Sequence, residues 1–143
     1  MQVSVKWVDG VRFLGESSTG HTVIMEGPES YGGKNTGIRP MELLLLGLGG
    51  CTSFDVKNIL TKSRQQVTSC VASIDAERAD AIPAVFTKIH IHFEISGLNL
   101  KEAAVSRAVA LSAEKFCSAS IMLEQGGVKV THGYNVIDLA NET

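Results

Sequence analysis

Apolar and polar residues alternate from the start of the chain. Val3, Val5 and Trp7 fall on one face of residues 3–8 and Ser4 and Lys6 on the other, the period-two signature of a strand. Ser17-Ser18-Thr19-Gly20 marks a turn, and residues 21–26 (HTVIME) predict a second strand. Residues 27–39 hold four glycines and a proline and predict a loop, long for a compact domain and so a place where function concentrates. Pro40 suits the first turn of a helix, and the spacing predicts that helix from 40 to about 63. Its first half, MELLLLGLGGC, is apolar on every side and therefore predicts burial all round. Its second half, Phe54 to Lys62, is amphipathic. Gly47, Gly49 and Gly50 each weaken a helix by about 1 kcal/mol relative to Ala, so three together predict close approach of another helix or backbone.

Alternation returns at residues 67–77, where Cys70, Ala72, Ile74 and Ala76 share a face. It is cleanest at 85–96: Val85, Ile89, Ile91, Phe93 and Ile95 point to the core, and Lys88, His90, His92, Glu94 and Ser96 point out. Asn99 followed by Glu102 resembles a capping box. A helix is predicted from about 100 to 115, continuing with a break near Cys117 to Glu124, where Gly126-Gly127 stops it. Residues 128–138 predict the last strand. The order ββ–α–ββ–α(α)–β indicates an α+β fold rather than a doubly wound α/β fold. No repeat or linker divides the chain, so residues 1–143 read as one domain. The helix opened by Pro40 is too apolar for the surface of a monomer, which predicts a homodimer whose second chain covers it.

Composition narrows the function. With 44% hydrophobic and 20% charged residues, the chain is an ordinary globular protein and not a disordered, collagen-like or disulfide-dense one. Thirteen Lys and Arg against fifteen Asp and Glu leave a net charge of -2, which speaks against a nucleic-acid partner. The apolar run Leu43–Cys51 is too short for a membrane span. The opening MQVSVKWVDG lacks a basic stretch followed by an apolar one. A cytoplasmic location without a membrane partner is the expectation.

Three cysteines carry the candidate chemistry. Cys51 lies in the apolar helix and Cys117 near the break in the later helical segment. Two such residues form a reversible disulfide if their Cα atoms approach within about 7 Å. From spacing alone, a lone buried Cys is more often a small hydrophobe. Cys70, on the apolar face of its strand, reads as core packing. His90, His92 and Glu94 share a strand face at period two, which is compatible with a metal site but is more commonly a solvated sheet face. The chain has no CxxC, HExxH, P-loop or GxGxxG pattern, and the glycines of GLGGC lie inside a helix, where they cannot cradle a phosphate.

The segment RPMELLLLGLGGCTSFDV and the later LSAEKFCSASIMLE together resemble the OsmC/Ohr family, and the opening VKWVDGVRFLGESSTGH resembles its YhfA-like branch. That resemblance covers nearly the whole chain. It implies an OsmC-like fold: an intertwined homodimer with antiparallel sheets wrapped around two long central helices. It further implies thiol-dependent reduction of organic hydroperoxides in oxidative stress defence. In that chemistry Cys51 attacks the peroxide, Cys117 resolves the sulfenic acid as a disulfide, and a dithiol or lipoyl-type reductant returns the electrons. No metal or bound cofactor is implied. Because the thiolate is the nucleophile and burial opposes it, a cation is needed beside it. In the family an Arg of the N-terminal hairpin serves, held by a Glu directly after the helix-opening Pro. Here Met41 follows Pro40, and Glu42, nine residues from Cys51, lies about 180° round the helix from it. Arg12 in the hairpin is the first candidate cation and Arg39 the second, each also readable as a solvated charge. Two other readings stay open: a redox sensor or small-molecule binding dimer without peroxidase activity, and a scaffold whose cysteines merely pack.

Overall fold

The computed structural model describes residues 1–141. Their contacts form two compact units, one spanning Met1–Leu46 and the other beginning at Gly47.

The first unit is built on an antiparallel sheet of β1 (Ser4–Asp9), β2 (Arg12–Glu16) and β3 (Thr22–Glu26), in that spatial order. β1 and β3 lie where the sequence predicts strands. β2 carries no such pattern, because Gly15 interrupts its short apolar set, and its pairing with both neighbours defines it instead. Gly10, at φ +45°, makes the tight β1–β2 turn and accepts the Trp7 indole N–H at 2.9 Å. The glycine-rich loop after β3 is ordered by a buried carboxylate. Glu26 accepts from the backbone N–H groups of Lys34 and Thr36, at 3.0 and 2.6 Å, and from the Thr36 hydroxyl at 3.1 Å. These donors hold its carboxyl below the usual range. From this unit the helix α1 (Pro40–Lys62) sets out, within a residue of its predicted bounds.

The second unit contains a sheet of β4 (Gln66–Arg78), β5 (Phe86–Leu98) and β6 (Lys129–Asp138). β4 and β5 form an antiparallel hairpin, whereas β6 joins β5 in parallel. The expectation of antiparallel sheets is therefore corrected at this pair. The connection from β5 to β6 runs through helices, and such a crossover returns the chain to the starting end of the strand. Ile89, Ile91, Phe93 and Ile95 on the central strand are all within 1% of complete burial. Leu48, Val56 and Leu60 of α1, and Val105, Ala108 and Val109 of α2 (Glu102–Leu111), are buried with them. Val85, expected in this core, is instead exposed and Phe86 is buried. The reason is a register shift at Glu77/Arg78, which leaves Thr87 unpaired and reverses the phase of the strand before Lys88.

The capping box expected at Asn99 is not formed. Asn99 takes φ +52° and donates its N–H to Asp138 Oδ1 at 2.9 Å, and Lys101 becomes the N-cap without a side-chain bond. α2 gives way to a π-helical turn, Ser112–Phe116, then to Cys117 in extended conformation, then to α3 (Ser118–Gln125). Gly127, at φ +98°, ends α3 as predicted, with the Val128 N–H returning to the Leu123 carbonyl. Of the three helix glycines, only Gly49 meets a close neighbour among the described residues: a Cβ there would stand 2.8 Å from Ile74 Cδ1. The all-round burial expected of the first half of α1 is not met within one chain, since Leu44 and Leu46 are exposed; Phe54, in the amphipathic second half, is exposed too.

Candidate active site

α1 places Cys51 and Asp55 one turn apart on the same side, and Thr52 beside them on its buried ridge of Leu48, Thr52, Val56 and Leu60. The opposite wall is the break between α2 and α3. There the π-turn lets the Cys117 N–H bond the Ser112 carbonyl five residues back, at 2.8 Å. Ser112, on the buried ridge of α2 with Val105, Ala108 and Val109, turns its hydroxyl to α1. It shares a 2.9 Å hydrogen bond with the Thr52 hydroxyl and lies 3.2 Å from Asp55 Oδ2, to which it donates. Cys117 is the N-cap of α3, and its Sγ accepts the Ser120 N–H at 3.4 Å.

The result is a triad of side chains. Cys51 Sγ, Cys117 Sγ and a carboxylate oxygen of Asp55 all lie within 4.8 Å of one another. The two sulfurs differ in access: Cys51 is partly exposed and Cys117 is fully buried. Burial pushes the Cys117 thiol up to about 11; the Ser120 N–H opposes this, while the Cys51 thiol and the Asp55 charge add to it. Cys117 is thus a protonated thiol at neutral pH, held against a more accessible sulfur. Two thiols so placed can be joined as a disulfide by small side-chain rotations.

The remaining candidates are placed otherwise. Arg12 opens β2 in the first unit, with Nη1 3.4 Å from Asp9 Oδ2. Its Nε is buried and finds no hydrogen-bond partner among the described residues. Arg39 donates to Asn35 Oδ1 at 3.1 Å and to the Glu26 carbonyl at 3.5 Å, which makes it a fastening of the glycine-rich loop. Cys70 is half-buried on β4 opposite Ile95, and burial raises its thiol. His90 and His92 hydrogen-bond across to Thr131 and Asn135 of β6, at 2.7 and 2.8 Å. Among the described residues, the one group of three or more potential metal ligands is Cys51, Asp55 and Cys117.

Asp55, Thr52 and Ser112 are site residues that pattern reading passes over. For Asp55 a signal existed: a carboxylate four residues after Cys51 on a helix must share its face. Ser112 had one as well: it follows Val105, Ala108 and Val109 by seven, four and three residues, which puts it on the same buried face of α2.

Fold and site together define a thiol protein of the α+β class with one sulfur on each of two helical segments. The chain belongs to the OsmC family: the model of OsmC-like proteins matches residues 33–133. It is 48% identical over 140 residues to Protein YhfA of Escherichia coli K12, covering 96% of this chain and 98% of that one. A solved structure from structural genomics is 46% identical with a TM-score of 0.87, covering 96% of this chain and 99% of that one. An organic hydroperoxide resistance protein OsmC from Legionella pneumophila shares the fold at a TM-score of 0.71 and 18% identity, over 95% of this chain and 98% of that one.

Proposed function

We propose that this protein reduces organic hydroperoxides through a Cys51/Cys117 thiol pair and serves in oxidative stress defence. The observation that carries the reading is the approach of the two sulfurs, 66 residues apart in sequence, to within 4.8 Å. Their unequal exposure supports the division of roles. The Cys51 thiolate attacks the outer peroxide oxygen; the O–O bond breaks, the alcohol leaves with a proton, and Cys51 becomes a sulfenic acid. Cys117 then attacks that sulfur, and its proton departs with the sulfenic hydroxyl as water, leaving a disulfide. A dithiol of the lipoyl type reduces the disulfide and closes the cycle.

Family membership and the fold shared with a hydroperoxide resistance protein support this reading. Arg12 is our candidate for the cation that favours the Cys51 thiolate, by the resemblance to a family in which an Arg of the N-terminal hairpin serves. We further propose a cytoplasmic homodimer, in which a second chain covers Leu44, Leu46 and Phe54 of α1, which are 56%, 58% and 70% exposed in one chain.

Turnover with an organic hydroperoxide and a dithiol tests the assignment. Cys51→Ser abolishes turnover. Cys117→Ser leaves Cys51 trapped one oxygen heavier, as a sulfenic acid. Undiminished turnover in Cys51→Ser contradicts the proposal, and oxidation of wild type to the disulfide without turnover identifies a sensor instead.

A further inference from the structure

We propose that the reduced protein holds a zinc ion between Cys51 Sγ, Cys117 Sγ and the Asp55 carboxylate, and releases it when the two sulfurs join as a disulfide. The thiol pair alone accounts for peroxide chemistry; it gives no role to the carboxylate beside it. A negative charge next to a sulfur that must become a thiolate has the wrong sign for a nucleophile, and the Asp55 carboxylate lies within 4.8 Å of both sulfurs. A divalent cation between the three groups reverses that sign.

Geometry fits the ion. In tetrahedral zinc sites Zn–S is about 2.3 Å and Zn–O about 2.0–2.2 Å, so ligand atoms stand roughly 3.5–3.8 Å apart. The three donor atoms already lie within 4.8 Å of one another, and closing the difference takes rotations of three short side chains. Two sulfurs and one oxygen suit zinc and disfavour magnesium and calcium, which take oxygen ligands.

The ligands are themselves held, as metal ligands are. The Ser112 hydroxyl donates to Asp55 Oδ2 at 3.2 Å and is fixed in turn by Thr52. The Ser120 N–H donates to Cys117 Sγ at 3.4 Å. Such partners orient ligands and stabilise a bound thiolate. Cys51 and Asp55, a residue and its fourth successor on one helix, form a chelating pair, and Cys117 closes the site from the α2–α3 break. Three protein ligands leave a fourth position for water, the arrangement of an exchangeable zinc.

Binding sends the two thiol protons to solvent. Oxidation by an organic hydroperoxide takes up two protons, forms the S–S bond, breaks the O–O bond, and yields an alcohol, water and free zinc. The disulfide removes both sulfur ligands, so the oxidised protein does not hold the ion. This inference needs the thiols reduced and near one another; it does not rest on catalytic turnover.

The test uses the full chain, reduced and metal-free, titrated first with cobalt(II) and then with zinc(II). The expected result is one cobalt per chain, with the strong visible bands of four-coordinate cobalt and thiolate charge transfer in the near ultraviolet, both removed by zinc. Zinc also slows alkylation of Cys51 by about tenfold or more, and an organic hydroperoxide releases one zinc for each Cys51–Cys117 disulfide formed. Cys51→Ser, Cys117→Ser and Asp55→Asn each weaken cobalt binding by about tenfold or more, while Cys70→Ser leaves it unchanged. No saturable site in wild type overturns the proposal whatever the variants do. Equally tight binding in a folded Asp55→Asn chain, or loss of binding in Cys70→Ser, overturns the ligand set. A chain that binds zinc yet leaves peroxide unconsumed contradicts the peroxidase reading alone; one that consumes peroxide and binds no zinc contradicts this inference alone.

Discussion

Cys117 is held by its surroundings on every side. It caps α3, takes a backbone N–H at its sulfur, and lies fully buried against Cys51 and Asp55. Its thiol is raised from 9.0 to about 11, so the neutral form is the one the fold favours. The sign follows from linkage. A group whose pKa is raised on folding stabilises the protein below its unfolded value, and that contribution is lost as pH rises through the folded one. Stability is therefore expected to fall between pH 9 and about 11 more steeply in wild type than in Cys117→Ala. Denaturant midpoints of both proteins across that interval check it, and parallel slopes contradict it. The two sulfurs were legible in the sequence as candidates because each sits on a helical segment. Their proximity was not, since sequence spacing carries no information about which helices meet. Asp55 reads as an ordinary charge on an amphipathic helix until the α2–α3 break is placed beside it.

Among the elements, those with the most regular pattern were the most legible. α1, β4, β5, the broken helix around Cys117 and β6 lie within two residues of their expected bounds. The departures have local causes. β2 is short and carries Gly15, so it acquires strand geometry from its neighbours rather than from alternation. Val85 and Phe86 exchange places because a bulge costs the strand one residue of phase. Asn99 terminates β5 in a left-handed conformation instead of capping α2. Gly97 shows why the end of β5 is so constrained: a Cβ there would overlap the Gln66 carbonyl oxygen and crowd Leu100. Gly97→Ala is expected to force the two strands apart and destabilise the second unit by about 1–3 kcal/mol. A lowered denaturant midpoint measures this, and an unchanged one contradicts it.

For the whole molecule, the α+β class was legible from the order of elements, and the parallel β5–β6 pair was not. It follows from the helical crossover rather than from the composition of either strand. α1 is, by length and composition, apolar enough to cross a membrane. Yet it carries Thr52 and Asp55 hydrogen-bonded to Ser112, as a helix of a folded unit does. Its exposed Phe54 is the side chain on which the proposed dimer depends most visibly. Phe54→Glu is expected to shift the protein from two chains to one in sedimentation, and a wild type that sediments as a single chain contradicts the dimer. The central claim is that Cys51 and Cys117 act together as a redox couple, and one measurement tests it most directly. The reduced protein is treated with a limiting amount of an organic hydroperoxide, its intact mass is read, and the product is digested. We predict the loss of two hydrogens, mapped to a Cys51–Cys117 disulfide, with the peroxide consumed. An unchanged mass with the peroxide intact would contradict the account.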